Sequence, residues 1–277
     1  MSVSLIRLFL LCGLFFPLLL AAQPPANYGT TTPRQAEKAA IGLSDAAAID
    51  QLMFYIPGIG SPSREAMERQ SVQPYLMPVR QLADTRLDWA YALTSSLEYY
   101  ANLNRNFKDN LSPDYLSLSL RASGRQVSLE DGLRFLAETG TVSASIMPYG
   151  SVTIPPAVYA TQSYRITNYL HIFRDVTRPR ERVFEVKKAL SRGNPVIVQM
   201  STGADFDALR TSLYQPVGTT DRTSSLVVVG YDQNAETFQL RANKGRDWAE
   251  GGYVNVGFED FGRLARDGYV LVPLQQY

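Results

Sequence analysis

Cysteine and histidine are nearly absent from this 277-residue chain, which holds one of each, Cys12 and His171. A zinc site built from several Cys and His ligands is therefore excluded. Disulfides within the chain are excluded too, since a bridge needs two thiols, and stability must come from core packing. Long apolar runs are also scarce. Residues 8–20 form one, and nothing later approaches the roughly 20 apolar residues of a membrane-spanning helix. An excess of one charge sign is missing as well: 27 basic residues face 26 acidic ones. Neither nucleic acid nor an anionic membrane is drawn electrostatically to such a chain. Gly58-Ile59-Gly60 lacks the third glycine and the preceding strand of a phosphate-binding loop. No cofactor and no metal are expected.

What is present begins with the apolar run. Arg7 precedes it, and Ala21-Ala22-Gln23 and a Pro/Thr-rich stretch follow. This is the layout of a secretory signal peptide at residues 1–22, cleaved after Ala22, with Leu20 an imperfect residue at the site. Export to a periplasm or to the exterior follows, an uncleaved anchor being the alternative. Lipid attachment at Cys12 would leave residues 13–20 on the mature chain and is disfavoured. Removing Arg7 leaves 26 basic against 26 acidic residues, so contact with a membrane is expected only through the signal segment.

Residues 23–75 read as an accessory segment. A Pro, Thr and Asn-containing lead to residue 32 is followed by an Ala-rich, helix-compatible stretch at 33–53, and Ile56-Pro57-Gly58-Ile59-Gly60-Ser61-Pro62 breaks any element. An inhibitory prosegment and a docking arm are both open. Residues 76–277 form the main domain, with halves at about 76–155 and 156–277. In the first half, residues 89–104 lack Pro and Gly and place Trp89, Leu93, Leu97 and Tyr100 at helical spacing behind Asp88. Ser112-Pro113 starts a second helix, and Ser128-Leu129-Glu130-Asp131 caps a third that Gly140 stops. In the second half, residues 195–200, 225–231, 237–242, 253–257 and 269–273 are short strands rich in Val, Tyr and Leu, with a helix at 180–192. His171 lies in an alternating, strand-like stretch and reads as a structural residue. Helices first and strands later define an α+β fold whose two lobes share a cleft, the default ligand site.

Segments of the chain, in order, resemble the papain family of cysteine peptidases. Residues 78–91, Pro-Val-Arg-Gln-Leu-Ala-Asp-Thr-Arg-Leu-Asp-Trp-Ala-Tyr, are similar without a gap to the family's P-V-[KR]-N-Q-G-x-C-G-x-C-W-A-F, and the match runs on to Asn110-Leu111-Ser112-Pro113. Residues 132–149 resemble its next helix and Y-P-Y element. Ser224 to Tyr231 resembles H-A-V-x-x-V-G-Y, and Leu240 to Tyr253 resembles I-x-[KR]-N-S-W-G-x-x-W-G-E-x-G-Y, one residue short. The resemblance implies a helical left lobe and a β-rich, barrel-like right lobe with the cleft between them.

Carried over by position, the resemblance puts Asp88 where the family has its nucleophilic cysteine, Ser224 at its histidine and Leu82 at its oxyanion glutamine, while Asn243 keeps the orienting amide. Thiolate chemistry needs all these partners. No catalytic residue is therefore expected. Asp88 is expected to cap its helix as an ionised carboxylate, or else to meet a ligand. Gln81, Asp88, Trp89, Ser224, Asn243 and Trp248 are the candidate cleft residues, the two tryptophans chiefly as packing. The expected function is that of an exported papain-fold pseudoprotease, not an enzyme, that binds a peptide or protein partner in its cleft. The alternative is an assembly component of a cell-envelope complex that docks through residues 23–75; a hydrolase with a non-cysteine mechanism ranks last.

Overall fold

The computed structural model of the protein describes residues 40–82, 84–105, 107–121 and 127–274. The expected signal peptide with Cys12, the lead and the start of the Ala-rich stretch lie outside the described residues. The elements follow in the order α1 (Ala46–Leu52), α2 (Arg64–Glu68), β1 (Arg69–Ser71), α3 (Asp88–Arg105), α4 (Pro113–Arg121), α5 (Leu129–Glu138), β2 (Ile166–Phe173), α6 (Pro179–Ser191), β3 (Val196–Thr202), β4 (Arg222–Asp232), β5 (Thr237–Arg241), β6 (Tyr253–Gly257), α7 (Phe258–Leu264) and β7 (Ala265–Pro273).

The strands form one antiparallel sheet in the order β2-β7-β3-β4-β5-β6, with β1 on the far end of β4. Period-two alternation divides its side chains between two cores. Val196, Val198, Leu226, Val228, Val270 and Val272 face α6 and α7, while Ile197, Val227, Val229, Tyr269 and Leu271 face α3 and α5. The ladder does not close into a barrel. Its two outer strands are instead covered by loop backbone: Leu43 bridges Leu170 of β2, and Leu213 bridges Asn255 of β6. Such covers blunt edges that would otherwise pair with other chains.

Helix α3 is the pillar of the helical side. Every residue from Trp89 to Tyr100 is buried, the pattern of a helix packed on all sides. Two tyrosines anchor it across the sheet connections, Tyr99 OH donating to the Gly193 carbonyl at 2.6 Å and Tyr100 OH to Asn194 Oδ1 at 2.9 Å. The capping box expected for α5 is present, with Ser128 and Asp131 bonded reciprocally.

The segment from residue 40 to 75 is strapped along the sheet. Within the Ala-rich stretch only Ala46–Leu52 is helical among the described residues, because residues 40–43 run beside β2 instead. The side chain of Asn168 holds them at both ends, accepting from Gly42 N at 2.8 Å and donating to Ala40 O at 2.9 Å. Ile49 and Met53 enter the α6-side core. Gly60 then passes so close to Arg192 that a Cβ there would lie 2.2 Å from the Arg192 carbonyl oxygen, which glycine alone permits.

Candidate functional site at the junction of α3 and the sheet

Asp88 is reached through a 3-10 turn, Thr85–Leu87. Asp84 caps that turn, its carboxylate accepting from Arg86 N at 2.9 Å and gripping the Arg86 guanidinium, which holds the Asp84 pKa down near 2. Asp88 itself has helical backbone angles, φ −54° and ψ −37°. It is therefore the first residue of α3 rather than its N-cap, a correction to the sequence expectation. Its Oδ2 is spent on the opposite wall, accepting from Ser225 N of β4 at 2.8 Å.

The surroundings of Asp88 make its ionisation harder than that of a free carboxyl. Burial pushes the Asp88 carboxyl up to about 6, against the opposing pull of Ser225, the Trp89 N–H and Lys244. Desolvation of the charged form outweighs those stabilising contacts. Lys244 does not offset it fully because its Nζ lies 2.7 Å from Asp207, which also holds Arg222 at 2.8 Å.

The other candidate positions gather around this junction. Ser224 is buried and its hydroxyl lies 3.0 Å from Thr202 Oγ1. The backbone of residues 80–82 pairs with that of 243–245: Leu82 N donates to Asn243 O at 2.8 Å, Gly245 N to Arg80 O at 3.1 Å, and Gln81 bridges Lys244. Gly245 takes φ +86° there, where the chain turns in the segment that is one residue short of the family pattern. Gln81 is exposed, whereas Asn243 is buried and its amide oxygen receives a long contact, 3.4 Å, from Arg241.

Both tryptophans are packing residues. Trp89 is buried beside α5, where Gly132 leaves room for its ring. Trp248 stacks edge-on against Phe206 and donates from Nε1 to the Phe206 carbonyl at 2.8 Å.

His171 lies elsewhere. Its Nε2 is 2.9 Å from Asp267, and its ring stacks on Tyr269 at 4.4 Å. The register runs from Ser225 to Gln199, from Gln199 to Asp267, and from there to β2. His171 itself pairs with Tyr269, so at least three strand spacings, about 14 Å or more, separate its backbone from that of Ser225.

A buried polar network beneath the junction carries no sequence signal. Arg80 Nη2 contacts Glu98 Oε1 at 2.5 Å and Asn110 Oδ1 at 2.7 Å, and Arg241, wholly buried, donates to Met77 O at 2.5 Å and Pro78 O at 3.1 Å. Glu98 also accepts from Leu111 N at 2.6 Å. Burial raises the Glu98 carboxyl and lowers the Arg241 guanidinium. Nor does the sequence single out Ser225, Thr202, Lys244 and Asp207, because their partners are distant along the chain. Among the described residues no group of three or more His, Cys, Asp or Glu side chains could hold a metal ion, and no helix is long and apolar enough to cross a membrane.

This geometry, a central helix whose first residue meets a curtain of antiparallel strands, defines a papain-like fold. The sequence model of the papain family cysteine proteases matches residues 67–263, and the chain belongs to that family. Solved structures agree on the fold. Xylellain, a cysteine protease from Xylella fastidiosa, superposes with a TM-score of 0.62 at 18% identity, covering 85% of this chain and 96% of its own. A Carica candamarcensis cysteine protease crystallised with E-64 gives 0.61 at 16%, covering 75% and 99%. Procathepsin L 3 of the Tenebrio molitor larval midgut gives 0.64 at 16%, covering 79% and 74%. No curated protein matches the sequence significantly.

Proposed function

We propose that this chain is a papain-family protein without peptidase activity, exported by its N-terminal segment, whose interlobe cleft receives an extended peptide or protein segment. The observation that carries the reading is the Asp88–Ser225 bond. Where the family resemblance places a nucleophile, a carboxylate with no thiol accepts a backbone N–H from the facing strand at 2.8 Å. Supporting it, the hydroxyl at the histidine position is engaged with Thr202, and His171 is bonded to Asp267, so neither serves Asp88 as a base. A nucleophile without an adjacent base or a lowered pKa is weak. The exposed Gln81, at an isolated bridge to Lys244, offers an amide group of the kind that extended peptides pair with.

The test has two arms. Purified protein is first incubated with a broad panel of fluorogenic peptide and ester substrates; turnover that disappears in both Asp88→Asn and Ser224→Ala would overturn the non-enzymatic reading. It is then screened against an immobilised random decapeptide array. Selected peptides should lose binding when Gln81 is replaced by Arg, and an array without selection would overturn the peptide-binding reading.

A further inference from the structure

Helix α3 carries a cavity at the end away from Asp88. The helix has 18 residues, so at 1.5 Å per residue its two ends are about 25 Å apart. Between its last turns, the segment 162–165 and the end of β7 lies a space of about 150 Å³. The buried part of the lining is apolar, with Leu97, Tyr100 and Pro273 beside the half-buried Ala101. The more exposed part carries two guanidiniums, Arg105 from the helix and Arg165 from the facing segment. No acidic side chain is among the described residues that line it.

Arg105 is held in place without being neutralised. Its guanidinium lies 4.4 Å from the centroid of the Tyr164 ring, and Nη1 donates to Tyr164 Oη at 3.0 Å. Tyr164 Oη donates onward to Asp109 Oδ2 at 2.7 Å, and Asp109 Oδ1 accepts from Ser143 at 2.8 Å, so both oxygens of that carboxylate are in use. Nε and Nη2 of Arg105 have no partner among the described residues. Arg165 donates from Nη1 to Glu138 O at a long 3.5 Å. Neither arginine is in an ion pair among the described residues.

Two guanidiniums attract an anion and repel a cation, and they outweigh the roughly half negative charge at the carbonyl end of a helix. The adjacent free donors Nε and Nη2 form the planar fork that grips a carboxylate through two parallel bonds. An apolar cavity of roughly 150 Å³ takes a group the size of a benzene ring. We propose that this cavity binds a small monocarboxylate with one apolar group of up to ring size, its carboxylate on Arg105 and Arg165 and its apolar group on Leu97, Tyr100 and Pro273. The site is separate from the interlobe cleft and does not rest on what that cleft receives.

Titration of the full chain with phenylacetate, followed by calorimetry and by NMR, tests it. A Kd of about 1 mM or below is expected for a ligand of this size. Acetate lacks the apolar group and 2-phenylethanol lacks the charge, and each should bind at least about tenfold more weakly. Arg105→Gln should weaken phenylacetate by about tenfold or more, as loss of a charged hydrogen-bonding group does. Ala101→Leu keeps both guanidiniums and fills the floor, so it should abolish binding even if Arg105→Gln fails to fold. The absence of saturable binding would overturn the proposal, as would equal affinity for 2-phenylethanol or wild-type affinity in either variant. Binding seen only when the chain is ended after Leu274 would assign the cavity to the chain's own last residues, and would overturn it too.

Discussion

A buried carboxylate and a partly buried one, ten residues apart on the same helix, do opposite things for stability. Glu98 is matched: Arg80 lies at 2.5 Å and Arg241 acts on it through space. Asp88 is held by a backbone N–H but has no cation of its own. Removing Glu98 leaves two buried guanidiniums without a carboxylate, and breaking a buried pair in this way costs about 3–5 kcal/mol. Glu98→Ala should therefore lower the urea midpoint sharply, and an unchanged midpoint would show the network to be inessential. Asp88→Asn should have the reverse sign. The carboxyl is raised from 3.8 to about 6, so ionised Asp88 weakens the fold above that pH. Allowing for its partial exposure, the amide should gain on the order of 1–2 kcal/mol at pH 7.5. The gain should shrink as pH falls through 6 toward 4, where wild-type Asp88 becomes protonated, and denaturant titrations at pH 7.5 and 4.5 measure both ends.

At the level of elements, the strap from residue 40 to 75 lies inside the architecture. It supplies β1 to the sheet, Ile49 and Met53 to one core, and Ile56 and Val72 to the other. Asn168→Ala removes two hydrogen bonds that hold residues 40–43 on β2, and at about 1 kcal/mol each should raise proteolytic nicking near residue 44 before the sheet unfolds. Deleting residues 40–75 would strip both cores, so a trial of partner docking through the N-terminal segment should stop its truncation before residue 40. How far this was legible in the sequence differs by element. The long α3 and the strands at 225–231 and 253–257 announce themselves, because uninterrupted periodicity survives at that length. β1 and α7, of three and seven residues, do not. Segments that short are held by tertiary contacts rather than by their own propensity. At the site, the family motifs marked residues 82, 88, 224 and 243, but the Asp88–Ser225 pairing spans 137 positions, and nothing local in the sequence encodes it.

For the whole molecule, the decisive issue is whether the inherited frame can still assemble a thiolate and an imidazole. Asp88 opens α3, where a helix dipole favours an anion, and Ser224 is adjacent in sequence to the residue that Asp88 touches. The wild-type protein should cleave no peptide, and its described residues hold no thiol for an epoxide inhibitor to label. Asp88→Cys alone should be labelled slowly, because no imidazole base stands beside the new thiol to take its proton. Adding Ser224→His should speed labelling about tenfold or more by supplying a base, provided the imidazole displaces the contact now made to Thr202. Hydrolysis should lag behind labelling. With Leu82 at the oxyanion position, one donor is missing, and such a loss costs roughly 10²–10³ in turnover. Restoring Leu82→Gln in the double variant should recover part of that deficit without changing the labelling rate. If labelling in the double variant is no faster than in Asp88→Cys alone, the two positions do not face each other across the cleft, and the positional reading of the site fails even though the fold stands.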